Sequence, residues 1–181
     1  MIALQKHALF TKKALQLNFI WLMLLSLTSV SHAAPLIAAN ADFKGDWNYN
    51  EQKSKLAEGR FRMNAQKIKV TPEGESLAIE RTSASPNGDN FVTTEKLTFD
   101  GKTAESTVFG TSKKKSTASW SSDGQTMTIN STMVFERDGN STEIKTVEIW
   151  KLTEGGKALS IESTTTSPRG TTTNTFVYDK A

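Results

Sequence analysis

Turn dipeptides punctuate most of this chain: Glu73-Gly74, Asn87-Gly88, Asp100-Gly101, Asp123-Gly124, Asp138-Gly139, Gly155-Gly156 and Arg169-Gly170. Glycine supplies the positive φ that tight hairpin turns need. Most intervals between these glycines are 13 to 17 residues, room for one strand and one turn. The longer interval, Gly101 to Gly124, holds Gly110 and the run Lys113-Lys114-Lys115. It reads as two short strands, with the lysines as a solvated turn. Ten strands follow, at 44–50, 60–70, 76–85, 90–99, 103–111, 116–122, 126–137, 141–153, 158–167 and 171–179. Apolar residues alternate along them, and the abundant threonines suit a pleated, half-buried surface. Hairpin after hairpin makes an antiparallel meander, which would expose two long edges unless it closed on itself. The expected fold is therefore all-β, a single up-and-down barrel of about eight to ten strands over 43–181, its first strand against its last. The segment 50–59, with Asn50 as cap and Gly59 as stop, reads as a helical turn.

Residues 1–33 read as a signal peptide: a basic start with Lys6, Lys12 and Lys13, a short apolar core, then Ser31-His32-Ala33 before Ala34. The segment 34–42 is expected to be a flexible lead-in. Setting those three lysines aside reduces the chain's 22 basic residues to 19, matching its 19 acidic ones. The remaining chain is formally neutral, so no nucleic-acid partner is expected. Both histidines lie within 1–33, and there is no cysteine. Residues 34–181 thus lack the means for Ser-His-Asp or Cys-His catalysis and for the usual zinc sites. No D-x-D-x-D-G calcium loop appears, and neither a metal nor a cofactor is expected. The absence of a lipid-acceptor cysteine leaves no stable membrane anchor after cleavage. The expectation is an exported monomer, periplasmic or extracellular.

Three turns share one spacing: "EGESLAIE" from Glu73, "DGQTMTIN" from Asp123 and "GGKALSIE" from Gly155. Two of them continue alike, "SLAIERTSASPNG" from Ser76 and "ALSIESTTTSPRG" from Ala158, with Arg81 in one where Ser163 stands in the other. Alternation sets Leu77, Ile79 and Arg81 on one face, and Phe91, Glu95, Leu97 and Phe99 on one face of the next strand. Pairing the apolar sets inward matches Leu77 with Phe99 and Ile79 with Leu97, and so places Arg81 opposite Glu95. The same logic in the second copy gives Leu159 with Tyr178, Ile161 with Phe176, and Ser163 with Asn174. One hairpin would hold an ion pair where its twin holds a neutral pair. A charge facing an apolar interior needs a partner or a ligand, so this position is either a structural pair at the rim or an anchor for a ligand head group. Glu148 raises the same question, with the inward side of its strand undecided by the pattern.

The stretch "DFKGDWNYN" places Gly45-Asp46-Trp47, a G-x-W, on the first strand. It resembles the opening motif of lipocalins and the wider calycin superfamily, fatty-acid-binding proteins included. "GDWNYNEQKSKL" is also similar to the start of small exported bacterial proteins called lipocalin-like. The resemblance implies that Trp47 closes one end of the barrel under a basic residue near the C-terminus, for which Lys180 is the match. The T-D-Y motif and the C-terminal helix of true lipocalins are missing.

The leading functional reading is a non-catalytic binding protein with a small apolar or amphipathic ligand inside the barrel. The candidate residues are Arg81, Glu95, Phe91, Leu97, Phe99, Ile129, Phe135, Ile161, Asn174 and Phe176, with Trp47 closing the barrel. The alternative is a surface module with a filled barrel, contacting carbohydrate or protein through a threonine face of Thr164, Thr166, Thr171, Thr173 and Thr175. Enzymatic carboxylate chemistry from Glu95, Glu148 and Glu162 is a third reading, with no spacing that brings two of them together.

Overall fold

The computed structural model describes residues 39–57, 64–84, 89–108, 112–137 and 140–181; the expected signal peptide lies outside them. The described strands are β1 (Gly45–Tyr49), β2 (Lys67–Glu73), β3 (Ser76–Ala84), β4 (Asn90–Thr98), β5 (Ala104–Val108), β6 (Ser112–Trp120), β7 (Thr126–Arg137), β8 (Asn140–Thr153), β9 (Ala158–Ser167) and β10 (Gly170–Lys180). They form one antiparallel sheet in the order β4-β3-β2-β1-β10-β9-β8-β7-β6-β5. β1 pairs with β10, Trp47 opposite Lys180 and Tyr49 opposite Tyr178, so first strand meets last. The free edges are β4 and β5, which lie side by side without a described ladder. The barrel is thus nearly closed, with its seam between chain neighbours. Beside the seam Phe99, just past β4, packs on Trp120 with ring centroids 5.2 Å apart. The connection through 100–103 is an exposed local turn, in which Asp100 accepts the Lys102 N–H at 3.1 Å, and no described β4–β5 ladder flanks it.

The repeated turn motif builds the floor. Ile79, Met127, Ile129, Leu159 and Ile161, all from its three copies, are at most 1% exposed. Around them pack Trp47, Ile68, Val70, Leu97, Trp150 and Tyr178. Phe43 stacks on Trp120 at 5.6 Å and meets Trp150 edge-on at 5.9 Å, sealing this end. Trp47 donates its indole N–H to the Phe43 carbonyl at 3.0 Å, and Lys180 Nζ sits 5.3 Å over the Trp47 ring. The basic lid implied by the G-x-W resemblance is therefore present, as lysine. Of the lead-in expected to be flexible, Ala41 is fixed by donating its N–H to the Gly124 carbonyl at 2.8 Å.

Three expectations need correction. The lysine run is not a turn: Lys113–Lys115 lie within β6, pointing outward, inward and outward in turn, because they continue the alternation of Ser116, Ala118 and Trp120. The segment 50–57 makes a single turn at 51–53 rather than a helical turn running on to Gly59, which lies outside the described residues. Asn50 does cap it, accepting the Lys53 N–H at 3.1 Å, but Lys55 then bridges to Thr175 and the chain continues extended along β10. The third concerns register. The second hairpin pairs as expected, Leu159–Tyr178, Ile161–Phe176 and Ser163–Asn174. In the first, Leu77 pairs with Leu97, Ile79 with Glu95 and Arg81 with Thr93. This is a slip of two residues, which preserves which side chains face inward but changes each partner. Its cause is Phe99, which leaves the strand for Trp120 and cedes Leu77 to Leu97.

Gly45 has φ 137°, and a Cβ there would lie 3.3 Å from Cε of the lysine lid. Gly45→Ala is expected to cost about 1–3 kcal/mol, chiefly as backbone strain, in urea unfolding followed by tryptophan fluorescence.

Candidate functional site

Above the apolar floor the barrel interior turns polar. Arg81 on β3 reaches across the barrel to Glu148 on β8, Nη2 donating to Oε2 at 2.6 Å. The Trp150 indole N–H donates to the same oxygen at 2.9 Å. The Arg81 guanidinium lies 5.3 Å over the Trp150 ring, so one tryptophan holds both members of the pair. Lys114 on β6 bridges past β5 to Glu95 on β4, Nζ to Oε2 at 2.9 Å, a side-chain clasp across the seam. All four side chains are largely enclosed, Arg81 and Glu148 at 17% and 15% exposure, Lys114 and Glu95 at 18% and 7%. The direction of Glu148 is settled by its neighbours: Val147 and Ile149 are exposed on the outer wall. Ser116 and Ser131 bond each other at 3.1 Å on the interior side, and Ser163, also buried, sits opposite Glu148.

The electrostatics keep the cross-barrel pair charged. Burial pushes the Glu148 carboxyl upward, but Arg81 and then Lys114 outweigh it and hold the group below the usual carboxylate range. Burial likewise opposes the Arg81 charge, and Glu148 with Glu95 overcomes it. Burial pushes the Tyr178 phenol up, away from ionisation. Two cations and two carboxylates make the belt formally neutral, and each ion pair offsets desolvation that neither charge could bear alone.

The belt is not fully satisfied. Arg81 Nε, Glu95 Oε1, Tyr49 Oη and Ser106 Oγ are buried without a hydrogen-bond partner. Each belongs to a residue whose alternation points it into the barrel. Beyond the belt, at the end where β3 leads to β4 and β7 to β8, the inward residues Ser83, Phe91, Thr93, Met133, Phe135 and Ile144 are only half-buried. One end of the barrel is packed shut and the other is looser and apolar-lined.

The sequence candidates divide accordingly. Leu97, Ile129 and Ile161 are wholly buried in the floor, and Phe99 packs beneath it against Trp120. Phe176 is 8% exposed and meets Tyr49 edge-on. Asn174 accepts the Ala57 N–H at 2.9 Å, a structural use. Phe91 and Phe135 lie at the loose end. Arg81 and Glu95 both belong to the belt, but each is bonded to a residue outside the expected pair. Reading the sequence missed Lys114, concealed in a run that looks like a turn, along with Tyr49, Ser106 and the dual role of Trp150. The inward alternation of β6 was the signal for Lys114.

On the outer wall, a concavity of about 460 Å3 is lined by Lys115, Thr117, Asn130, Thr132, Lys145 and Val147 among others. A smaller one, of about 90 Å3, lies over Asp46, Asn48, Lys67, Lys69, Glu80 and Thr82. On the threonine face Thr164 bonds Thr173 at 2.9 Å and Thr166 bonds Thr171 at 3.2 Å, side chain to side chain. Among the described residues no cluster of three or more Asp or Glu could hold a metal ion.

No family model matches the chain, and no curated protein matches it. Among solved structures it is similar to zebrafish ileal bile acid-binding protein complexed with cholic acid, at 16% identity and a TM-score of 0.46, covering 77% of this chain and 98% of that one. Likeness of this degree assigns the chain neither a family nor a ligand.

Proposed function

We propose that this chain is an exported, non-catalytic binding protein that takes a small amphipathic molecule into the loose end of its barrel. The apolar part would lie against Met133, Phe135 and Ile144, and the polar end would meet the charged belt. One observation carries the reading: Arg81 Nε, Glu95 Oε1, Tyr49 Oη and Ser106 Oγ are inward-facing, buried and unpartnered. Folded proteins rarely leave such groups unsatisfied, since each costs about 1–3 kcal/mol. Four such groups facing one interior offer hydrogen bonds to whatever enters it, a bound molecule or ordered water. The surface-contact alternative has less support, because among the described residues no buried unpartnered group lies on the threonine face and four of its five hydroxyls already pair across the strands.

Nile red, an uncharged environment-sensitive dye, provides the test. It should bind the protein saturably at one site. Ile144→Asp, which places a charge at the apolar end, should weaken it about tenfold or more, ~1.4 kcal/mol. Dye binding that Ile144→Asp leaves unchanged would place it on the outer wall and end this reading. Export rests on the pattern of residues 1–33, and an intact mass that begins at Ala34 is the expected result.

A further inference from the structure

We infer that the head group selected by this barrel is uncharged and both donates and accepts a hydrogen bond, as a hydroxyl or a primary amide does, rather than a carboxylate or an ammonium. The inference rests on the binding role proposed above and concerns what the belt can recognise.

Consider what each charged group has left to offer. Arg81 spends Nη2 on Glu148 and its face on Trp150, leaving the Nε–H as an unused donor. Glu95 spends Oε2 on Lys114, leaving Oε1 as an unused acceptor. Glu95 acts electrostatically on Arg81, and Lys114 acts on Glu148, so the four form one coupled group. An anion that came to the Arg81 Nε–H would meet the fields of Glu95 and Glu148. A cation that came to Glu95 Oε1 would meet Arg81 and Lys114. Either would bury a net charge in a belt that is already balanced, and a buried charge without its own counter-charge is costly. An uncharged group with a lone pair and an N–H or O–H adds no net charge. It can accept from the Arg81 Nε–H or donate to Glu95 Oε1, while the hydroxyls of Tyr49 and Ser106 can serve in either sense. The interior thus presents hydrogen-bonding specificity without net charge.

A matched series of ten-carbon amphiphiles tests this on the processed chain: decanol, decanamide, decanoate and decylamine, each competing with Nile red. Decanol and decanamide should compete at least about tenfold more tightly than the two charged compounds, ~1.4 kcal/mol. Decanoate or decylamine as the tightest member would overturn the inference while leaving the binding role intact. If the dye binds and no member displaces it, the head-group inference is overturned, whereas absence of saturable dye binding overturns the binding role itself. Glu95→Gln removes one negative charge and leaves the belt formally +1, so decanoate should gain on decanol by about tenfold. An unchanged order in the folded variant would also overturn the inference. Should that variant fail to fold, the series on the unaltered protein decides alone.

Discussion

Glu148→Ala should destabilise the protein by about 3–5 kcal/mol, because it leaves the Arg81 guanidinium enclosed without its counter-charge. Urea unfolding at pH 7 measures the loss. Replacing both partners, Arg81→Met with Glu148→Leu, should cost less than the single change, since no charge is then stranded. A double variant as unstable as Glu148→Ala would show that packing, not charge, dominates the site. The pair also fixes a pH dependence. Glu148 is held below its ordinary value of 4.5 in the folded protein. Its contribution is therefore complete above that value and drains away as pH falls below it, through the lower folded value. Glu148→Gln should lose this component, so its stability should fall less steeply than that of the unaltered chain as pH drops below 4.5. Parallel slopes would mean that other carboxylates carry the acid sensitivity.

Trp150→Ala should cost about 3–5 kcal/mol from lost burial alone. Trp150 is 0% exposed, touches Phe43 edge-on, and supports both Arg81 and Glu148. Its effect should therefore not add to that of Glu148→Ala. A double-mutant cycle between the two should give a coupling of about 0.5–3 kcal/mol. Trp150→Phe separates the roles, since it keeps most of the volume and the ring face but removes the indole N–H to Glu148. It should fall between the alanine variant and the unaltered chain. A cycle that closes to zero would mean that Trp150 fills space and organises nothing.

Most of the wall was legible because glycine turns and alternation are local signals. Period-two patterning gave the inward faces of both repeat hairpins, even the first, where the partners were misassigned by two residues, but left β8 undecided, because Val147 and Ile149 are apolar on its outer face. That error has a tertiary cause. Pattern alone cannot show that Phe99 belongs to Trp120, a contact between the residue that follows β4 and the end of β6. The belt was half legible for the same reason. Arg81 and Glu95 stood out as charges on apolar faces, but their partners come from β8 and β6, and no pairing of adjacent strands could supply them. The difference between the twin hairpins now has a physical meaning. Ser163 sits opposite Glu148, and its small side chain leaves room for the carboxylate that Arg81 of the other copy engages.

The path of the chain around the barrel also bears on how it folds. Every described ladder except β1–β10 joins strands consecutive in sequence, so nearly all pairing can start locally. The exception pairs Trp47 with Lys180, and just beyond β1 the side chains of Asn50 and Asp179, 129 positions apart, bond at 2.7 Å. Closing so large a loop carries an entropic cost that the short hairpins escape, and non-local pairing is what slows β proteins. The first strand and the last, held by Lys180 over Trp47 and by Lys53 on Asp179, thus act as a clasp that fastens a curling ribbon. If that clasp forms before the rate-limiting step, weakening it slows folding; if it forms after, the same change speeds unfolding.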